Sequence, residues 1–216
     1  MFFCSLATLT DIFYERVLFM NTKVKNLRMI TVTAIMAALS AVLMFVEFSI
    51  PIMPAFIKLD ISDLPALITS YAFGPVCGVT VCLVKNLIHL FATNTFGVGE
   101  LSNFIHGAVF VFVAGMFYKY HHNRKFAFIG AMAGDFMMAA MSFFINYFLV
   151  YPIYIKLMLP EEQIIGMYSA ILPSVDSLWK AILIFNVPFT FVKGLISVAI
   201  TFAVYPKLSP ILKGKK

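Results

Sequence analysis

The chain has 216 residues, 62% hydrophobic and 12% charged, with a formal net charge of +6. A soluble globular domain is roughly 45–50% apolar and about 25% charged, so this composition, with a mean hydropathy of +0.94, excludes a soluble fold and describes an integral membrane protein. The positive charge does not describe a nucleic-acid binder, because it lies in short clusters flanking apolar runs, where it acts as a topology signal.

A membrane-spanning helix needs about 20 apolar residues. With its loops and tails, the chain accommodates about six such spans in a single domain. Arg16, Lys23, Lys25 and Arg28 precede the first apolar run, Lys119, Arg124 and Lys125 form a second basic cluster, and Lys207, Lys213, Lys215 and Lys216 a third. The positive-inside rule places all three in the cytoplasm, and two cytoplasmic termini require an even number of spans. The expected architecture is therefore all-α, with six transmembrane helices and both termini cytoplasmic.

Residues 1–27 read as an N-terminal tail. Asp11, Glu15 and Arg16 interrupt any apolar core, and no small-residue cleavage site follows, so the tail is not a cleaved signal peptide. Met20-Asn21-Thr22-Lys23 reads as a better start, leaving the first 19 residues as a start-site artefact or a disordered tail. Residues 28–212 form the expected membrane domain and 213–216 a basic tail.

Span one is expected over 29–48. Within it Ala34 and Ala38 share one helix face, and Ala37 and Ala41 another, because residues four apart align. Small residues at that spacing let a second helix approach closely in lipid, either internally or from a separate membrane subunit. The polar stretch Pro54 to Pro65 follows, and it reads as an outer hairpin loop or as a lid over a binding site. Its prolines disfavour helix, and Asp60, Ser62 and Asp63 are each suited to cap a helix starting near Leu64.

Span two, Leu64 to Phe73, is short, and Gly74-Pro75 closes it sharply. Span three is expected over 76–93, an outer loop over 94–100, span four over 101–118 and span five over 126–157, with Pro152 inside it. An outer connection runs from Pro160 to Ser177, and span six covers 181–205 with Pro188 inside it. Tyr168 and Trp179 suit the membrane–water interface.

Ionisable groups inside spans are costly and mark function by default. Lys85, Asn86 and His89 face one side of span three, and Glu100 and Asn103 open span four from the same outer side. Asn146 lies in span five, and Asn186, Thr190 and Lys193 in span six. The competing structural readings are headgroup snorkelling for Lys85, interhelical hydrogen bonds for Asn146 and Thr190, and, for Lys193, pairing with an acid such as Asp176 or reaching the outer headgroups. His121-His122 reads as a solvated pair, and Asp135 is expected to pair with a basic neighbour. Cys4, Cys77 and Cys82 form neither a disulfide framework nor a zinc spacing, and no metal site is expected. Catalytic motifs such as HExxH or GxSxG, and any Walker motif, are absent from the sequence, so no enzymatic activity is expected.

Five separated stretches carry a resemblance: Lys58-Leu59-Asp60-Ile61-Ser62-Asp63-Leu64-Pro65, Gly74-Pro75-x-x-Gly78, Lys85-Asn86-Leu87-Ile88-His89, Gly97-Val98-Gly99-Glu100-Leu101-Ser102-Asn103-Phe104 and Pro188-Phe189-Thr190-Phe191-Val192-Lys193-Gly194. In this order they resemble the riboflavin-specific substrate-binding (S) components of energy-coupling factor (ECF) transporters, over about residues 28–212. The resemblance implies a bacterial multi-pass cell-membrane protein with the six-helix S-component fold and an outward-opening vitamin pocket covered by the loop after span one. It implies riboflavin as transported ligand rather than cofactor, with FMN as a weaker ligand beside it. It also implies a transmembrane coupling subunit and two ATPase subunits as partners, docking on Ala34 and Ala38, and a loaded component that topples in the membrane. The implied ligand residues are Lys58, Leu59, Asp60, Lys85, Asn86, Glu100, Asn103, Asn146, Thr190 and Lys193. Thr190 departs from the family pattern, which has asparagine there, and Asn186 one turn away is the candidate to compensate. The alternatives are an S component for thiamine or biotin, and an intramembrane enzyme acting on lipid.

Overall fold

The computed structural model describes residues 2–54 and 56–213, with side chains described for 24–54 and 56–204. Cys4, the basic side chains Arg16, Lys23, Lys207 and Lys213, and the terminal Lys215 and Lys216 lie outside those described. The first helix, α1, runs Phe2–Phe45 without a glycine or proline to break it. Next comes a two-stranded antiparallel hairpin, β1 (Phe48–Ser49) and β2 (Lys58–Leu59), with Phe48 opposite Leu59. The helices α2 (Asp63–Phe73), α3 (Pro75–His89), α4 (Val98–Tyr120) and α5 (Arg124–Ile145) follow. A π-helical segment, Asn146–Val150, joins α5 to α6 (Tyr151–Leu157). Beyond α7 (Glu161–Ser169), α8 (Leu178–Ala181) passes through a second π segment, Ile182–Asn186, into α9 (Val187–Lys213).

Among the described residues, five helical bodies are long and apolar enough to cross a membrane: Val24–Phe45, Pro75–Ala92, Val98–Tyr120, Arg124–Leu157 and Leu178–Val204. The expected second span, α2, is not among them. Its 11 residues rise only about 16 Å, against a hydrocarbon core of about 30 Å. It is instead the central element, packed against α1, α3, α4 and α9, with every residue from Asp63 to Tyr71 buried. Gly74 makes the tight α2–α3 turn possible: its φ of 102° is open to glycine, its N–H bonds the Ser70 carbonyl at 2.9 Å, and Pro75 starts α3.

Two apolar clusters form the core. One gathers Leu67, Ile68, Val81, Phe110, Val111 and Met138 from α2 to α5. The other gathers Met53, Tyr151, Tyr154, Ile164, Tyr168 and Phe185 around α6, α7 and the second π segment. The two small-residue faces of α1 part company: Ala37 and Ala41 are buried, whereas Ala34 and Ala38 are exposed.

The structure corrects several expectations. Tyr168 is fully buried rather than at an interface; its hydroxyl donates to Asn186 Oδ1 at 2.7 Å and shares a hydrogen bond with the Tyr151 hydroxyl, so burial is compensated. Asp135 has no basic partner: its carboxylate is buried without a hydrogen bond among the described residues, against Gly194, where any side chain would collide with it. Asp176 pairs with Lys180 at 2.7 Å, one helical turn away, and not with Lys193. Ser62 occupies the N-cap position of α2 without a side-chain cap, and Asp60 accepts the Ser62 N–H at 2.9 Å instead.

Candidate ligand-binding site

A cavity of about 310 Å³ opens between the two core clusters, bordered by Met138 of the first and Val150, Tyr151 and Tyr154 of the second. Small-molecule sites span roughly 300–1,000 Å³ and combine apolar walls with a few placed polar groups. Here Met44, Phe56, Ile57, Tyr154, Met158 and Phe189 supply apolar and aromatic wall. The Phe56 and Tyr154 rings lie 5.5 Å apart, so the loop after α1 packs against α6 across the cavity.

That loop is held by buried polar contacts to four helices. The Asp60 carboxylate accepts the Lys193 ammonium of α9 at 2.7 Å and the Asn103 amide of α4 at 3.4 Å. Lys85 of α3 donates to Ser62 Oγ at 2.6 Å and to Asp63 Oδ1 at 2.5 Å, and the Ser40 hydroxyl of α1 donates to the Ser62 carbonyl. Two lysines thus meet two aspartates, which is how buried charge is tolerated. Burial pushes the Asp60 carboxyl up, but the Lys193 and Lys85 ammonium groups and the hydrogen bonds from Lys193 and Ser62 outweigh it and hold it below the usual carboxylate range. At the outer end, Lys58 pairs with Glu47 and closes the hairpin.

The opposite wall is polar at its base. Asn146 Nδ2 donates to Ser142 Oγ at 2.9 Å, and Ser142 Oγ lies 3.1 Å from Thr190 Oγ1, so α5 and α9 are joined through a serine that does not line the cavity. Higher up, Asn186 donates to the Tyr151 hydroxyl at 2.9 Å and accepts from Tyr168, closing a ring of three side chains. Asn186 therefore borders the cavity with its amide already bonded on both sides, rather than as a free substitute for the asparagine missing at Thr190.

The structure brings Lys58, Asp60, Glu100, Asn103, Asn146, Thr190 and Lys193 together around this cavity. Leu59, Lys85 and Asn86 are not part of its lining. Leu59 sits half-buried in β2. Lys85 is fully buried on Asp63 and Ser62, so it neither snorkels nor reaches the cavity. Asn86 donates to the Cys82 carbonyl of its own helix at 2.7 Å.

Other lining residues lie outside the ligand set that the resemblance implies. His106 donates from Nδ1 to the Ser102 carbonyl at 2.7 Å, leaving Nε2 buried, without a partner among the described residues, in a side chain that lines the cavity. His89 bonds Glu100 at 2.9 Å, and Glu47, Thr95, Tyr151 and Tyr154 complete the wall. The signal for the tyrosine and asparagine positions was present in Pro152 and Pro188. Each follows a π segment by two residues, since an internal proline cannot donate its N–H and crowds the preceding turn. Met138, Ser142, Asn146, Val150 and Tyr154 recur every four residues; in a plain α-helix that series drifts by about 40° per step. The wider π turn pulls the row back toward one face.

The sequence profile of the family "ECF transporter, substrate-specific component" matches residues 28–205. "Riboflavin transporter RibU" of Staphylococcus aureus (strain TCH60) is 31% identical over 189 residues, 88% of this chain and 94% of that protein. "Riboflavin transporter FmnP" of Bacillus subtilis (strain 168) is 26% identical, covering 90% of this chain and 97% of that protein. "Riboflavin transporter RibU" of Streptococcus thermophilus (strain ATCC BAA-250 / LMG 18311) is 30% identical, covering 89% and 88%. A solved structure, "Structure and mechanism of the S component of a bacterial ECF transporter", superposes with a TM-score of 0.69 at 30% identity, over 88% of this chain and 99% of that one. The short buried α2, the tethered loop above it and the cavity between the two clusters thus belong to a multi-pass membrane protein of the ECF transporter family, a substrate-specific component.

Proposed function

We propose that the cavity binds riboflavin and that the chain captures this vitamin outside the cell for ATP-dependent uptake. The observation that carries the reading is the convergence of Lys193, Thr190 and Asn146 on a cavity that also presents the aromatic and apolar walls of Phe56, Ile57, Tyr154 and Phe189. A flavin has a flat apolar body and a polar pyrimidine edge, and such an edge needs donors and acceptors set in one wall. Lys193 uses one of its three ammonium hydrogens on Asp60, which leaves donors for a flavin carbonyl. The relatives' shared substrate supports the same assignment. The ribityl hydroxyls then point outward, toward Thr95, Glu100 and the Glu47–Lys58 pair.

In this reading α2 is the sixth, shortened transmembrane element, and both termini face the cytoplasm. The exposed Ala34 and Ala38 dock the transmembrane coupling subunit, which connects to two ATPase subunits. The test is to purify the protein from riboflavin-containing medium and record its visible absorbance, then titrate the ligand-free protein with riboflavin calorimetrically. A bound yellow flavin and sub-micromolar titration support the proposal. A colourless protein that titrates thiamine or biotin, or that turns over lipid, overturns it.

A further inference from the structure

We infer that Glu100 is a specificity-determining residue that keeps phosphorylated flavins out, so that the site takes the neutral polyol tail and rejects its phosphomonoester; this rests on the riboflavin reading above. A phosphate ester carries about −1.5 to −2 charges near pH 7 and needs cations or free backbone N–H groups to receive it. At the outer end of the cavity the lysine, Lys58, is already paired with Glu47, which leaves the Glu100 carboxylate in excess there.

The helix start at this end would otherwise suit an anion, because the first N–H groups of a helix are unpaired and lie at the positive end of its dipole. In α4 that position is taken by the chain itself. The Gly97 N–H donates to Thr93 Oγ1 at 3.2 Å and the Gly99 N–H to Thr95 Oγ1 at 3.1 Å. Glu100 stands in the first turn, and its carboxylate accepts from Thr93 at 2.9 Å, from Thr95 at 3.2 Å and from His89 at 2.9 Å. No lysine or arginine among the described residues bonds it. Glu100 is buried to 5% exposure and lines the cavity, so its charge is poorly screened by solvent where an added phosphate would sit. The threonine and histidine contacts fix the carboxylate in place, so it cannot swing aside to admit a second anion.

The experiment compares three ligands on the purified full chain: riboflavin, riboflavin 5′-phosphate and the neutral 5′-O-acetyl ester. Wild type is expected to bind the acetyl ester within several-fold of riboflavin and the phosphate about a hundredfold more weakly, with Glu100→Gln closing about tenfold of that gap. The ratio of affinities is the readout, so a general loss of affinity in the variant does not enter it. Equal rejection of the acetyl and phosphate esters by wild type would mean a steric limit and overturn the inference without needing any variant. Equal binding of riboflavin and its phosphate by wild type, or an unchanged ratio in Glu100→Gln, overturns it as well. A wild type that binds no riboflavin refutes the substrate reading itself, a distinguishable outcome.

Discussion

Replacing Lys193 with methionine keeps the length of the side chain and removes its charge, and the structure says what is left behind. Asp60, 5% exposed, loses its bond at 2.7 Å and keeps only the Ser62 contacts and the longer Asn103 amide at 3.4 Å. Stranding one member of a buried ion pair costs about 3–5 kcal/mol. For a chain of this size, about 2–4 °C per kcal/mol puts the melting temperature of ligand-free Lys193→Met about 6–20 °C below wild type. Asp60→Asn alone should cost less, because Asp63 Oδ2 already lies 4.0 Å from Lys193 and accepts part of its charge. The double variant strands no charge, so the two effects are expected to couple by about 1–3 kcal/mol rather than add. Thermal unfolding of the four proteins in one detergent measures stability, and riboflavin calorimetry on those that fold measures the separate loss of a charge-assisted contact, worth about 1.5–3 kcal/mol. A Lys193→Met protein that melts with wild type, or a double variant whose loss is the plain sum, would show that this pair does not hold the loop.

The Asp60 carboxyl is held below its ordinary 3.8, so its contribution is fully present above that value and is lost only as pH falls through the lower folded value. The stability difference between wild type and Asp60→Asn is therefore expected to stay constant from about pH 7 to 5 and to shrink only in strong acid, which a series of melts at stepped pH checks. Gly194→Ala would place a methyl on the Asp135 carboxylate and 2.9 Å from Met138 Cε; a loss of about 1–3 kcal/mol is expected, partly regained when Asp135→Ala is added. Ala38→Trp adds bulk on an exposed face of α1, so riboflavin titration should persist while co-purification with the coupling subunit is lost; continued assembly would move the docking surface elsewhere.

Much was legible in the sequence by itself. Apolar run length and composition determine a membrane protein, because lipid admits only helices or closed barrels. Gly74-Pro75 announced the α2–α3 turn, and the run from Lys58 to Pro65 announced a polar break whose charges needed partners. What no local pattern could decide is which partner each charge takes. Lys85, Asn86 and Glu100 all read as site residues, since each is a polar group in an apolar setting. Yet Lys85 is spent on Asp63 inside the core, and Glu100 faces the cavity. Asp135 was expected to find a base and found Gly194, whose missing side chain leaves room for an unbonded carboxylate. Likewise, Ala34 and Ala37 look alike in sequence, and only the packing of α1 on α2 and α3 turns one outward and the other in. The sequence determines which groups are costly to bury; the packing of helices far apart in the chain decides how that cost is met, because the partners lie on other helices. Lys193 and Asp60 are 133 residues apart and 2.7 Å distant.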